Sequence, residues 1–91
     1  MTIGELARRA GVGVETVRYY QRRGIFPEPP RQHRGTREYS PEALELLRFI
    51  RRARGLGFTI REVERLVGLR KSRKDPKELV GLLLAKASEL E

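Results

Sequence analysis

Residues 1–40 are punctuated too closely for any long helix: Gly11-Val12-Gly13, then Gly24, then Pro27, Pro29 and Pro30. Glycine accepts the left-handed conformation that stops a helix, and proline lacks the amide a helix interior needs, so whatever folds between these marks must be short. Thr2 and Glu5 stand at capping-box spacing before Ile3, Leu6, Ala7 and Ala10, an i, i+3, i+4, i+7 series that predicts a one-faced helix. After the glycine break, Val14, Val17, Tyr20 and Gln21 share one side of a second helix at about 100° per residue, leaving Glu15, Arg18, Tyr19 and Arg22 on the other. Gly24 reads as its left-handed stop.

From Ile25 to Tyr39 the pattern changes. The prolines forbid helix, and Arg34-Gly35-Thr36 offers a turn between short extended flanks, so a small β-hairpin wing is expected. Ser40-Pro41 supplies a cap and a first-turn proline for a third helix over about 41–54, with Ala43, Leu46, Leu47, Ile50 and Ala53 as its buried stripe and Gly55 and Gly57 as its stop. Thr59 and Glu62 repeat the capping-box spacing ahead of a shorter helix, about 60–67, ending near Gly68. Arg70 to Lys74 then reads as a basic loop, and Asp75-Pro76 opens a last helix crowded with Leu79, Val80, Leu82, Leu83 and Leu84, followed by Ala87 and Leu90.

A chain of 91 residues has room for one small core, or one core and an extra helix, and none for a separate catalytic domain. Its charge is unevenly placed. Residues 1–74 carry eighteen Lys or Arg against eight Asp or Glu, a balance of +10, whereas residues 75–91 carry two against four, a balance of −2. A dense positive field on a small domain attracts polyanions, and nucleic acid is the commonest polyanionic partner. No Lys-rich amphipathic helix with Trp or Phe on its apolar face points to a membrane surface instead. Cysteine is absent, which removes disulfides, thiolate metal sites and thiol catalysis together. No apolar run approaches a membrane span and no signal-peptide core precedes the first helix, so a cytoplasmic location is expected.

Two short helices across a glycine turn form a helix-turn-helix, whose second helix can enter a DNA major groove. Arg18 on its outer face can pair with the N7 and O6 acceptors of guanine or grip phosphate, or it can be an ordinary solvated arginine. Tyr19 leaves a ring on the polar side, fit either to donate to a phosphate oxygen or to pack against the wing. Tyr20 lies nearer the buried side and reads as core. Arg31, His33, Arg34 and Arg37 load the wing with donors for backbone or minor groove, and Tyr39 can either reach phosphate or pin the wing to the third helix. Arg48, Arg51, Arg52 and Arg54 read as a solvated face. The 70–74 run can serve as a second wing or as a charged linker. Gly11-Val12-Gly13 follows a helix and lacks the Lys-Ser/Thr of a phosphate-cradling loop, and no acidic pair stands beside a nucleophile or metal ligand set. An enzyme is not expected, nor a cofactor.

Taken as an ordered set, Thr2-Ile3-Gly4-Glu5-Leu6-Ala7, Gly11-Val12, Thr16-Val17-Arg18-Tyr19-Tyr20, Arg23-Gly24, Arg37-Glu38-Tyr39 and Leu56-Gly57-Phe58-Thr59-Ile60-Arg61-Glu62 resemble the DNA-binding half of the MerR family of bacterial transcription regulators. The likeness covers about residues 1–70, and residues 13–24 are most similar to the mercury-responsive branch. It implies a mainly α, winged helix-turn-helix fold with two wings, and a homodimer joined by an antiparallel coiled coil. It also implies double-stranded DNA as partner, a palindromic promoter with an overlong spacer that the active dimer bends and untwists, and RNA polymerase at that promoter. By the same resemblance Arg18, Tyr19, Arg37 and Tyr39 approach DNA, and with Glu15, Thr16, Arg22 and Arg34 they form the expected DNA-binding set. Leu79, Leu82, Leu83 and Leu90 form the expected dimer seam, or the same apolar face folds back on the first four helices in a monomer.

Two departures stand against a full transfer. Metal-sensing members carry a cysteine at the start of the dimerisation helix where this chain has Asp75, so mercury or copper sensing is unsupported and no metal site is expected. Pro76 to Glu91 would also span only about 24 Å as helix, at about 1.5 Å per residue. The expected organisation is therefore a DNA-binding domain over 1–70 (helix-turn-helix about 2–24, wing about 25–39) and, over 71–91, a basic loop and the beginning of a dimerisation helix. An excisionase-like architectural protein that bends DNA for recombination is the rival reading.

Overall fold

The computed structural model describes residues 1–31, 35–72, 84–86 and 88–89, and it divides into two units, Met1–Arg51 and Arg52–Glu91. Among the described residues the helices run in the order α1 (Ile3–Ala10), α2 (Val14–Arg22), α3 (Pro41–Gly55) and α4 (Ile60–Ser72), with further helical residues near the C-terminus.

In the first unit, Thr2 begins α1 by accepting the Glu5 amide N–H on its hydroxyl at 3.2 Å. The reciprocal half of the expected capping box is replaced, because the Glu5 carboxylate accepts from Arg9 one turn along, at 3.3 Å. Leu6, Ala7 and Ala10 are buried on one stripe, and α1 packs against α2. Gly11, at φ 74°, ends α1 and lets the Val12 amide reach back to the Ala7 carbonyl at 3.0 Å. Soon afterwards α2 starts at Gly13, which offers no side-chain cap, and buries Val17 and Tyr20.

The end of α2 directs the chain into the core. Gly24 also sits at φ 74°, donating to the Gln21 carbonyl at 3.0 Å while Ile25 donates to the Tyr20 carbonyl at 3.0 Å, the paired bonds of a Schellman stop. An L side chain in that conformation costs about 1–2 kcal/mol, which is why glycine stands there. The backbone then turns inward, so that Ile25 and Phe26 are both 2% exposed and root the next segment. Ser40 begins α3 by accepting the Ala43 amide at 3.2 Å. The buried face of α3 within this unit is Ala43, Leu44, Leu47 and Ile50; Leu46, expected on the stripe, is only half-buried and Leu44 takes a place in the core. Each fully buried aliphatic side chain of this set, such as Leu6, Val17, Leu47 or Ile50, contributes roughly 1.5–3 kcal/mol by leaving water.

The expected hairpin is represented, among the described residues, by one isolated antiparallel bridge between Arg31 and Arg37, with no strand. Pro27, Pro29 and Pro30 lack the amide hydrogens that a longer ladder on this arm would use.

In the second unit, α3 finishes with the Phe58 amide donating to the Ala53 carbonyl at 3.1 Å. Here the capping box is complete: Thr59 N–H donates to Glu62 Oε1 at 2.8 Å, and Glu62 N–H donates to Thr59 Oγ1 at 3.2 Å. Val63, Leu66 and Val67 are the buried stripe of α4, with Ala53 and Phe58 also buried. Gly68 does not stop α4, which runs on to Ser72, so the stretch from Arg70 to Ser72 is helix and not the loop that composition suggested. Gly68 keeps helical dihedrals, and a lone glycine costs a helix only about 1 kcal/mol when good helix formers such as Leu69, Arg70 and Lys71 come after it. Residues 84–86 and 88–89 are helical; Leu79, Leu82, Leu83 and Leu90 of the expected dimer seam lie outside the described residues.

Candidate nucleic-acid interface

The outer face of α2 carries its polar side chains at helical spacing, because the opposite face is committed to Val17 and Tyr20. Arg18 and Arg22, one turn apart, are exposed, and neither forms a hydrogen bond or ion pair with another described residue. Among the described residues, then, nothing takes up their guanidinium donors. Tyr19 is 40% exposed, its ring tilted 55° against Tyr20 at 5.8 Å, so it is only partly covered. Glu15 is exposed in the first turn and Thr16 is half-buried.

Facing Arg18 and Arg22 is the segment rooted by Ile25 and Phe26. Arg37 is anchored inside it: Nε donates to the Pro29 carbonyl at 2.9 Å and Nη2 pairs with Glu28 at 2.9 Å. Arg31 Nη1 reaches the Gly35 carbonyl at 3.5 Å, a marginal bond and the one backbone contact of its guanidinium among the described residues. Tyr39 is 3% exposed and its ring stacks on Phe26, 6.2 Å apart and 16° from parallel. Its hydroxyl accepts from Gln21 Nε2 at 2.8 Å, and the same Nε2 donates to the Pro27 carbonyl at 3.2 Å. Behind it, the Tyr39 amide donates to the Met1 carbonyl at 2.8 Å, while the Met1 ammonium pairs with Glu38 and donates to the Tyr39 carbonyl at 3.1 Å.

These groups enclose a cleft of about 490 Å³, walled by Arg18 and Arg22 of α2, by Arg31, Glu28 and Arg37 of the wing segment, and by Tyr39. Four arginines against one carboxylate make it strongly positive. Of the residues expected from sequence to touch DNA, the cleft brings together Arg18, Arg22, Arg37 and Tyr39; Glu15, Thr16 and Tyr19 lie outside its lining, and Arg34 lies outside the described residues. Gln21 and Glu28 also line it, and neither was expected there. Each had a signal in the sequence: Gln21 is a polar residue on the apolar side of its helix, and Glu28 an isolated acid between two prolines in a basic stretch.

A second polar cluster lies in the second unit. Lys86 is 9% exposed, its ammonium 3.0 Å from Glu62, 2.9 Å from Glu89 and 5.5 Å from the centre of the Phe58 ring. The Thr59 amide, seconded by the Lys86 ammonium, holds the Glu62 carboxyl below the usual carboxylate range. Hydrogen bonds to Glu89 and then Glu62 raise Lys86 above the usual lysine value. Among the described residues no group of three His, Asp or Glu is placed to hold a metal ion, and no helix is long and apolar enough to cross a membrane.

Comparison with known proteins agrees with this geometry. The family described as MerR HTH family regulatory protein matches residues 1–68. The mercuric resistance operon regulatory protein of Bacillus cereus is 49% identical over 67 residues, which are 74% of this chain and 51% of that protein. This chain thus spans about half the length of that relative. The HTH-type transcriptional regulator ZntR homolog of Haemophilus influenzae is 37% identical over 86 residues, 94% of this chain and 64% of that one. Among solved structures, the transcription regulator PbrR691 of Ralstonia metallidurans CH34 in complex with lead(II) superposes with a TM-score of 0.81 at 36% identity, covering 99% of this chain and 70% of that chain.

Proposed function

The chain belongs to the MerR family of helix-turn-helix regulators, and from that premise we propose that it is a sequence-specific transcription regulator that binds a palindromic promoter operator as a homodimer and distorts it. The observation that carries this reading is the pair of exposed guanidinium groups of Arg18 and Arg22 on α2, which have no partner among the described residues, beside a braced basic segment. A helix bearing free arginines on its outer face suits the major groove, where Arg18 can pair in parallel with guanine N7 and O6 or clamp a phosphate. Glu15, Thr16 and Tyr19 complete the groove-facing set. The segment 25–39 acts as a hairpin wing closed by the Arg31 and Arg37 bridge, with Arg31 and Arg34 of this segment serving the sugar-phosphate backbone. Arg37 and Tyr39 belong to the same contact surface, Arg37 with part of its charge already answered by Glu28 and Tyr39 through its hydroxyl alone.

The DNA-binding domain occupies residues 1–70, and residues 71–91 hold a link and the start of a coiled-coil dimerisation helix that opens at about Asp75-Pro76, with Leu79, Leu82, Leu83 and Leu90 on its seam. RNA polymerase at the promoter is the further partner and the cytoplasm the compartment. The work is binding, without catalysis or cofactor. Kinship to operon regulators favours promoter control over the excisionase-like, recombination-linked role.

Selection of bound sequences from a random duplex pool, with the full chain as bait, tests the proposal. A palindrome with two half-sites is the expected product. Recovery of a single half-site would overturn the dimer, and absence of any enrichment would overturn sequence-specific binding.

A further inference from the structure

Resting on the DNA-binding reading above, we propose that Gln21 is a positioning residue: it turns the Tyr39 phenol into a fixed hydrogen-bond donor for a backbone phosphate, without touching the phosphate itself. Counting protons assigns the roles. A carbonyl oxygen can only accept, so the Gln21 amide must present its NH₂ group, not its oxygen, to the Pro27 carbonyl at 3.2 Å. That orientation fixes the second contact of the same nitrogen. At 2.8 Å from Tyr39, Nε2 donates, and the phenol oxygen accepts.

A phenol has one hydrogen. With Gln21 on the oxygen as donor, that hydrogen must go elsewhere, and among the described residues no acceptor receives it. The ring itself cannot swing to find one, being 3% exposed and stacked on Phe26. Tyr39 lines the arginine cleft together with Arg18, Arg22 and Arg31. A donor on the wall of a cationic cleft, held by a buried ring and a committed neighbour, fits an acceptor-only anion. The oxygens of a DNA phosphate meet that description, whereas a base edge mixes donors and acceptors. Gln21 also bonds the root of the wing to α2, so one side chain sets both the wing's origin and the polarity of its phenol.

The test measures affinity of the full chain, wild type and variants, by fluorescence anisotropy on two labelled duplexes, one of random sequence and one enriched by selection, with thermal melts alongside. Tyr39→Phe keeps the stacked ring and deletes only the hydroxyl. It is expected to weaken both duplexes by the same factor, about tenfold for each protomer bound, or about a hundredfold for a dimer, the low end of the scale for a hydrogen bond to a charged group. Gln21→Leu is expected to weaken both by a similar factor while folded. The double variant is expected to bind no worse than Tyr39→Phe alone, since the two residues act through one proton. Wild-type affinity in Tyr39→Phe, or losses that multiply in the double variant, would overturn the proposal. So would a Gln21→Leu protein that melts earlier yet binds normally, which is what a purely structural role gives. Failure of the wild type to bind either duplex would instead overturn the DNA-binding reading on which this rests.

Discussion

Arg18 and Arg37 line one cleft with the same guanidinium chemistry, yet their surroundings predict different consequences when each is replaced by alanine. Arg18 is exposed and pairs with no described residue, so all of its charge is available to a ligand. Arg37 has Nε on the Pro29 carbonyl and Nη2 on Glu28, both at 2.9 Å, so its charge is largely matched before DNA arrives. A lost phosphate contact lowers the slope of log affinity against log salt by about 0.9, or about 3.5-fold in affinity between ~50 and ~200 mM salt. Arg18→Ala is therefore expected to flatten the slope by about 1.8 in the homodimer, about 0.9 from each protomer, if Arg18 grips phosphate. If it reads guanine, the slope changes less and affinity for the selected duplex falls by about 1–3 kcal/mol per half-site while random DNA is spared. Arg37→Ala should flatten the slope by well under half as much. Its main effect should be a lower melting temperature, since Glu28 and the Pro29 carbonyl both lose their partner. Anisotropy titrations across that salt range, on selected and random duplexes, give both quantities. Equal slope changes for the two variants, or an Arg18→Ala protein indistinguishable from wild type on both duplexes, would refute the reasoning.

Stability should respond at other positions. Gly24→Ala meets no atom within 4 Å but keeps φ 74°, so the left-handed penalty of about 1–2 kcal/mol, partly offset by about 0.4–1 kcal/mol from a stiffer unfolded chain, should lower the melting temperature by roughly 5 °C. Gly4→Ala, in open space within α1, should raise stability by roughly 0.5 kcal/mol, so calorimetry should find opposite signs for the two. Because the folded Glu62 carboxyl lies below its ordinary value of 4.5, its contribution is complete above that pH and is lost as pH falls through the folded value. Glu62→Gln should accordingly show a shallower loss of melting temperature on acidification. Lys86 is shifted upward, so its contribution is present below its ordinary value of 10.5 and fades only as pH rises through the folded value. Lys86→Met should therefore flatten the alkaline limb.

Much of the helical framework was readable from residue order. Gly11, Gly24 and the proline cluster located the ends of α1 and α2, because backbone conformation there depends on residue type alone. The helical period separated Val17 and Tyr20 from Arg18 and Arg22. Where a result depended on competition between partners, the pattern failed. Thr2 and Glu5 have the same spacing as Thr59 and Glu62, yet Arg9 captures the Glu5 carboxylate and only the second pair closes its box. Gly68 looked like Gly24, but the residues after it favour continued helix. Tyr39 left two readings open in sequence, and burial shows why: the ring is core while the residue also lines the cleft. Glu28 and Gln21 act across the fold, on Arg37 and Tyr39 respectively, and such distant pairings carry no local period.

The short stretch that leaves α2 has a mechanical meaning. Ile25 and Phe26 clamp one end of it in the core, and Pro27, Pro29 and Pro30 have their φ angles fixed by their rings. Such a strut has surrendered most of its conformational freedom during folding, so little remains to be lost when a ligand arrives. On the proposed reading, Arg31 at its end would meet DNA from a stiff arm, and contact energy that a floppy loop would spend on being ordered would be retained as affinity.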